Sequence, residues 1–182
     1  MEKRLFIAVP VSDDVRLWAA GLIARLRRTG ADYRWVAAEN LHLTLRFYGS
    51  VPEDRIPDIE AAMRTAAQRP VFDISFSGLG AFASWENPRV VWVGVGDGIA
   101  QLCELAAALG PPEEGRPFSA HLTLGRMRSR LNLDRLVEAV GAEPRPGLRQ
   151  KAAGIRLYES RHTPQCSVYR VLNEQLLQTR GY

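Results

Sequence analysis

The sequence predicts an α+β fold: two pseudo-symmetric lobes of mainly antiparallel sheet, with helices on the outer faces, around a central cleft. Strand-like and helix-like segments follow one another in a mixed order with hairpin-like strand pairs, which disfavours a doubly wound nucleotide-binding fold. The tetrapeptide His-Leu-Thr-Leu occurs twice, at residues 42–45 and 121–124, which indicates a duplicated unit. We therefore expect residues 1–182 to form a single domain of two intertwined lobes, with one repeat in each.

Strands are indicated by runs of β-branched, aromatic and other apolar residues between turn residues. The first run is RLFIAVPV at residues 4–11, and the strongest is RVVWVGV at residues 89–95, which follows a turn at residues 86–88. In chain order, strands are predicted at residues 4–11, 33–36, 41–48, 71–77, 89–95, within 117–127, 154–159 and 168–177. Residues 79–85 are less regular and are left unassigned.

Helices are indicated by apolar residues at helical spacing together with start and stop signals. Ser12 is a suitable N-cap for the first helix, Pro52 lies near the start of the second, and Gly110 follows the third. In chain order, helices are predicted at residues 13–28, 52–68, 98–109 and 133–140. Residues 141–151 are rich in proline, glycine and arginine and predict a loop.

Size and composition exclude several classes of protein. The chain has 182 residues, of which 46% are apolar and 24% charged, as in an ordinary single globular domain. No apolar run approaches the ~18–20 residues that span a bilayer, so we expect no membrane association. The apolar run at residues 5–9 is too short for a signal peptide. These features predict a cytoplasmic protein, which we expect to be a monomer.

The cysteines do not indicate a metal site or a disulfide. Cys103 and Cys166 have no second cysteine or histidine set at metal-ligand spacing. In a reducing compartment both are expected to be free thiols. We therefore expect no metal and no other cofactor.

Positive charge is concentrated in the second part of the chain. Residues 1–115 have a net charge of −3, whereas residues 116–182 have +7, and only two of the 24 basic residues are lysines. Arginine suits bidentate contact with phosphate, so a phosphate or nucleic-acid partner is one interpretation. A GC-rich genome would give the same arginine content, so composition alone does not decide.

The repeated tetrapeptide indicates acid–base chemistry on an anion. Because side chains alternate along a strand, His42 and Thr44 share one face, and so do His121 and Thr123, with the leucines on the buried face. Facing strands would bring two imidazoles and two hydroxyls together without a carboxylate or a thiol. One imidazole can be neutral while the other is protonated, which suits in-line displacement at phosphorus, and the hydroxyls can hold the phosphate oxygens.

The number of histidines supports this interpretation. A lone histidine in a strand is more often structural than catalytic, but the two repeats hold two of the three histidines in the chain. The third, His162, precedes a Thr-Pro pair and is expected to be an exposed loop residue.

Residues near the repeats are weaker candidates for substrate binding. Arg46 lies four positions after His42, so strict alternation places it on the cleft face, unless it is an arginine at a strand end that reaches solvent. The position that matches it in the second repeat is Gly125, which is expected to leave space for a ligand. Alternation sends Arg126 to the opposite face unless a bulge intervenes. Phe47, at the position that matches Arg126, could stack on a base or belong to the core.

Two other features have a functional and a structural interpretation. Trp92 lies in a strongly apolar strand and is expected to be a core residue rather than a base platform. Arg126, Arg128 and Arg130 alternate after the second repeat. They could steer an RNA backbone, or form a solvated strand edge.

The paired His-x-Thr-x motifs resemble those of the 2H phosphoesterase superfamily, and the flanking residues resemble one branch of it. That branch is the bacterial RNA 2′,3′-cyclic phosphodiesterases, first described as 2′-5′ RNA ligases. The resemblance extends over nearly the whole chain and includes residues 4–9, 39–49, 89–94, 117–126, 157–160 and 168–169. One departure is Ala120, where many relatives have histidine, or proline just before the motif; this affects the expected loop shape more than the chemistry.

The resemblance implies two α+β lobes around a V-shaped cleft, and a metal-independent reaction. The substrate would be RNA or an oligonucleotide with a 2′,3′-cyclic phosphate terminus, hydrolysed to a 2′-phosphomonoester, with 2′-5′ ligase activity as a possible reversal. His42 would donate a proton to the leaving 3′ oxygen and His121 would accept one from water. Thr44, Thr123 and Arg126 would bind the phosphate, and Tyr169 would approach the cleft.

One alternative stays open. Some relatives in the superfamily bind nucleotides without evident turnover, so this chain could be a non-catalytic nucleotide-binding module. Release of a phosphomonoester from a cyclic nucleotide would distinguish the two.

Overall fold

A computed structural model describes residues 1–111, 117–162 and 167–179. Within them, four α-helices and nine strands account for most of the chain. The strands are β1 (Glu2–Pro10), β2 (Tyr33–Trp35), β3 (His42–Pro52), β4 (Phe72–Phe82), β5 (Val90–Val95), β6 (His121–Met127), β7 (Arg149–Ala152), β8 (Gly154–His162) and β9 (Ser167–Leu176). The helices are α1 (Asp13–Arg27), α2 (Ile56–Ala66), α3 (Ile99–Ala108) and α4 (Leu133–Ala142).

The strands form one sheet in the order β7-β4-β5-β6-β3-β1-β8-β9, with β2 paired to β6 outside this path. Every pairing between these strands is antiparallel. The two strands that begin with the repeated histidines, β3 and β6, are neighbours at the centre of the sheet. The predicted α+β class with a mainly antiparallel sheet is confirmed.

The strand order has an approximate symmetry about the centre of the sheet. β3 is followed outward by β1, β8 and β9, and β6 by β5, β4 and β7. One half therefore combines strands from both ends of the chain, and the other half uses the middle. The assignment of residues 1–182 to one domain of two intertwined lobes stays a prediction, and this order is what such lobes would produce.

The core lies on the face of the central strands that carries the leucines of the repeats. Leu43, Leu122 and Leu124 are all buried there. Helix α1, whose N-cap Ser12 accepts a hydrogen bond from the amide of Val15, covers part of this face with one apolar stripe. The buried residues of the stripe are Val15, Ala19, Leu22, Ile23 and Leu26. Burial of these leucines leaves the histidines and threonines of the repeats on the opposite face.

The predicted elements are confirmed in outline, with shifted ends. The second predicted helix begins as a 3-10 turn at Glu53–Arg55 before α2, and β3 continues past Gly49 to Pro52. The unassigned residues 79–82 extend β4.

The predicted loop at residues 141–151 is wrong at both ends, because α4 continues to Ala142 and β7 begins at Arg149. Tertiary contacts explain the strand. β7 pairs with β4. The side-chain Nε2 of Gln150 donates to the backbone carbonyl of Pro10, and its Oε1 accepts from the backbone amide of Ser12. Composition alone does not reveal such partners.

The described helices are too short or too polar to cross a membrane.

Candidate active site

The two repeats meet at the centre of the sheet. β3 and β6 pair at Leu43 and Leu122, the second residue of each repeat. Since the strands are antiparallel, His42 and His121 lie on opposite sides of this pair, and continuing the register sets each histidine beside the other repeat's threonine. The predicted shared face of the histidines and threonines is therefore formed by two adjacent strands.

Both imidazoles are held in the same way by the backbone. Nδ1 of His42 lies 2.6 Å from the carbonyl oxygen of Asn40, and Nδ1 of His121 lies 2.7 Å from that of Ser119. A carbonyl only accepts, so each Nδ1 is the nitrogen that bears the hydrogen. Nε2 is then the nitrogen that exchanges a proton in both rings. The Thr44 hydroxyl, 2.9 Å from Nε2 of His42, donates to it when the ring is neutral.

Aromatic side chains fix the orientation of the His42 ring. Phe6 lies against it with ring centroids 4.8 Å apart, and Tyr169 presents its edge at 5.5 Å. Tyr158 completes this wall by stacking on Phe6 at 4.9 Å. Tyr169, which the family resemblance implied near the cleft, lies there.

The His121 ring has aromatic neighbours from the other half of the sheet. Phe82 is perpendicular to it at 4.9 Å, and Trp92 lies at 6.1 Å. Trp92 is partly buried, but it belongs neither to the hydrophobic core nor to the residues packed against it, so the prediction of a core residue is wrong. Its neighbours Val91 and Val93 face the core, and Trp92, on the opposite face, supports a repeat histidine. A Cβ at Gly80 would lie 2.1 Å from the Trp92 ring, so the absence of a side chain at Gly80 allows this packing.

Burial and positive charge keep both imidazoles neutral in the substrate-free site. The pKa of His42 is lowered to about 4, first by burial and then by the charges of His121 and Arg126, against the hydrogen bond to the Asn40 carbonyl, which raises it. The pKa of His121 is also lowered, first by burial and then by Arg126. A bound phosphate anion would oppose both effects, because it favours the protonated rings.

A β-bulge occurs at the same position of each repeat. Between β1 and β3, Ile7 pairs with Arg46 but Ala8 pairs with Thr44, so Leu45 is the extra residue. Between β5 and β6 the register steps in the same way over Leu124. Beyond a bulge the alternation of faces is shifted by one residue.

The bulges decide which side chain enters the cleft beyond each threonine. It is the fifth residue after the histidine, Phe47 in one strand and Arg126 in the other. Both line a cavity of about 470 Å³ together with His42, Thr44, Thr123 and Tyr169. We call this cavity the cleft. His121 is not among the residues that line this cavity, but it lies near enough to His42 for its charge to lower the pKa of His42.

The prediction that Arg46 shares the cleft face by strict alternation is wrong, because the bulge at Leu45 turns it away. Arg46 lines a neighbouring cavity. Arg126 needed a bulge in its strand in order to face the cleft, and that bulge is present in β6 at Leu124. Gly125 does not leave space for a ligand, since a Cβ there would lie 2.7 Å from the Trp35 ring.

Several cleft residues were missed from the sequence. Arg4, Trp35 and Asn40 line the cleft, and nothing in the local pattern of β1 or β2 marks the first two. Asn40 could have been noticed because it occupies the position two before His42, as Ser119 does before His121.

The arginine run after the second repeat divides by role. Arg126 faces the cleft, whereas Arg130 donates to the Glu86 carbonyl at 3.2 Å and to the Asn87 side chain at 3.3 Å. Arg130 therefore holds the turn before β5. The interpretation of the whole run as an RNA-steering surface stays a prediction.

Among the described residues, no group of three or more histidine, cysteine or acidic side chains is arranged to hold a metal ion. Cys103 is an exposed free thiol, and Cys166 and the side chain of His162 lie outside the described residues.

Comparison with known proteins agrees with this geometry. The model of the LigT-like phosphoesterase family matches residues 9–92. An RNA 2′,3′-cyclic phosphodiesterase of Thermotoga maritima is 32% identical over 94% of this chain and 94% of its own. One of Aeropyrum pernix is 36% identical over 85% of this chain and 94% of its own. The crystal structure of E. coli LigT with 3′-AMP has a TM-score of 0.81 at 26% identity and covers 98% of this chain and 100% of its own. This chain therefore belongs to the LigT-like phosphoesterases, the family of the RNA 2′,3′-cyclic phosphodiesterases.

Proposed function

We propose that this protein hydrolyses the 2′,3′-cyclic phosphate at the end of an RNA to a 2′-phosphomonoester. The observation that supports this most is the pair of equivalently held imidazoles, His42 and His121, on opposite sides of the Leu43–Leu122 pair. Each uses its Nδ1 hydrogen on a backbone carbonyl and keeps Nε2 for proton exchange. The family membership of the chain supports the same reaction.

The proposed reaction is a single in-line displacement at phosphorus. The oxygen of a water molecule attacks phosphorus while Nε2 of His121 takes its proton. The bond between phosphorus and the 3′ oxygen breaks, and Nε2 of protonated His42 donates its proton to that oxygen. The products are a free 3′ hydroxyl and a 2′-phosphomonoester, and one proton has been exchanged at each histidine.

The phosphate is proposed to lie between the two rings. Thr44 and Thr123 donate hydrogen bonds to its non-bridging oxygens, and Arg126 supplies the balancing positive charge. The effect of the Arg126 charge on the pKa of both histidines supports this role, because a group bound between them would feel the same charge.

The acid role requires that the substrate charge His42. Burial lowers its pKa to about 4 in the free site, so near neutrality the ring is uncharged before RNA binds. The negative phosphate raises the pKa of the nearby imidazole on binding. Substrate binding and activation of the acid are thus coupled in this proposal.

Ligation follows from the same chemistry. If the 5′ hydroxyl of a second RNA replaces the attacking water, the product is a 2′-5′ phosphodiester instead of a phosphomonoester. We propose this as a side activity. The monomeric state and the cytoplasmic location stay predictions from the sequence.

One assay tests the proposal. RNA ending in a 2′,3′-cyclic phosphate is incubated with the protein, and the products are separated from standards with a 2′ or a 3′ phosphate. We expect the 2′-phosphomonoester. Saturable binding without turnover would instead identify the non-catalytic nucleotide-binding module, and a 3′-phosphate product would contradict the assigned leaving group.

A further inference from the structure

A second cavity adjoins the cleft and has no part in the reaction as proposed so far. Its volume is about 910 Å³, within the usual range for ligand sites. It lies against the C-terminal part of α3, where Cys103 and Ala107 line it, and Arg46 lines its opposite side. We call it the side cavity.

The side cavity and the cleft share one ridge of residues. Arg4, Phe47 and Arg126 line both of them. The guanidinium of Arg4 lies 4.6 Å from the centre of the Phe47 ring, which holds the ring in place. Phe47 keeps 42% of its surface exposed. A ligand chain leaving the cleft over this ridge would therefore cross an aromatic face flanked by two cations.

The walls of the side cavity suit a nucleotide. Its described lining contains three arginines, several apolar residues and no acidic side chain. Nε of Arg46 is buried and has no hydrogen-bond partner among the described residues, and its guanidinium stacks on Tyr48 at 4.9 Å. Gly110, with φ +99°, leaves the space beside that guanidinium open. A guanidinium beside an apolar surface is what a phosphate and a base require.

We propose that the side cavity binds the penultimate nucleotide of the RNA. This inference rests on the proposed function, which places the terminal cyclic phosphate in the cleft. A chain that ends in a 2′,3′-cyclic phosphate continues only through the 5′ oxygen of its last nucleotide. The next base then stacks at Phe47, and its phosphate meets Arg46. The protein is in this way specific for an RNA end over a free cyclic nucleotide.

The test compares two substrates with the same terminal nucleotide. One is a nucleoside 2′,3′-cyclic phosphate, and the other is a dinucleotide that ends in that group. We expect kcat/KM for the dinucleotide to be higher by about ten-fold or more, the effect of one stacked base. Equal values would overturn the proposed subsite, whereas no turnover of either substrate would count against the proposed function itself.

Two variants of matched size locate the effect in the side cavity. Ala107 is exposed on α3, so a longer side chain there can enter the cavity without disturbing the core. Ala107→Glu adds a negative charge beside the expected phosphate, and Ala107→Gln adds the same bulk without charge. We expect the ratio of the two kcat/KM values to fall in both variants, because both side chains enter the cavity, and to fall further towards one in Ala107→Glu because of its charge. An unchanged ratio in Ala107→Glu would overturn the proposal.

A binding measurement that needs no turnover completes the test. Cys103 lies on the same wall and is an exposed thiol. Its alkylation by iodoacetamide can be followed by mass spectrometry of the peptide that contains it. A saturating dinucleotide with a 2′-phosphate end should slow this alkylation, while the mononucleotide 2′-phosphate should not. Equal rates with both products would overturn the proposal even if the enzyme is active.

Discussion

Leu43 and Leu122 face each other across the β3–β6 ladder, and they are the same residue of the two repeats. An antiparallel pair of this kind relates its two strands by a local two-fold axis. In the proposed reaction, two copies of one tetrapeptide therefore approach the phosphate from opposite directions, which is the arrangement that an in-line displacement needs. An internal repeat would thus provide a base on one side and an acid on the other.

Loss of either histidine should abolish most of the activity. His42→Ala and His121→Ala should each lower kcat by about 10²–10⁴, the usual contribution of one general acid or base. The double variant should lose less than the product of the single effects, because either loss already breaks a concerted transfer. Steady-state rates with a cyclic-phosphate-ended RNA test this, and circular dichroism checks the fold. Near-normal rates in both single variants would refute the mechanism.

A substrate with a better leaving group assigns the two roles. Such a group does not need protonation, so it should restore activity to the variant that lacks the acid and not to the one that lacks the base. We expect the rescue in His42→Ala. Rescue in His121→Ala would reverse the two roles and leave the reaction itself in place.

The pH dependence should differ between the free enzyme and the complex. In the free enzyme the pKa of His42 is about 4, and that of His121 lies below its ordinary 6.5. The optimum of the bell-shaped pH profile of kcat/KM should therefore lie on the acidic side of neutrality. A bound phosphate anion raises both pKa values, so the bell-shaped pH profile of kcat should have its optimum at a higher pH than that of kcat/KM. Coincident profiles would show that the phosphate does not charge the acid.

Removal of the Arg126 charge should have two separable effects. Arg126→Ala should lower kcat/KM by roughly ten- to a hundred-fold, as for a hydrogen bond to a charged group. It should also move the kcat/KM profile to higher pH, because this charge lowers the pKa of both histidines. Arg130→Ala is the control, since Arg130 is already engaged by the turn before β5. If Arg126→Ala does not change kcat/KM, the threonines alone hold the cyclic phosphate.

The sequence predicted the faces of the repeats correctly up to the threonines and incorrectly beyond them. Alternation explains Thr44, because a regular strand separates His42 and Thr44 by one pleat. It fails at Arg46, because a bulge depends on how the neighbouring strand pairs, and β1 lies far away in sequence. Phe47 takes the cleft position for this reason. The position of a bulge can be predicted only when the pairing partners of the strand are known.

Activity should be independent of divalent metal ions. The described residues offer no cluster of three or more metal-binding side chains, and the proposed reaction needs only imidazoles, hydroxyls and Arg126. Rates should therefore be unchanged in excess EDTA. Inactivation by EDTA followed by recovery on addition of a metal salt would replace acid–base catalysis by a metal-assisted reaction.

The packing of Trp92 should couple a glycine in β4 to His121. A Cβ at Gly80 would lie 2.1 Å from the Trp92 ring, whereas a Cβ at Gly78 in the same strand meets nothing within 4 Å. Gly80→Ala should thus displace Trp92 and cost about 1–3 kcal/mol of unfolding free energy, as overpacking usually does, while Gly78→Ala should not. Because Trp92 and Phe82 both pack against His121, Gly80→Ala should also lower kcat and shift the limb of the pH profile that belongs to His121. Urea denaturation, tryptophan fluorescence and pH–rate profiles of the two variants measure these effects. If Gly80→Ala loses stability but keeps a normal pH profile, Trp92 contributes to stability alone and has no part in positioning His121.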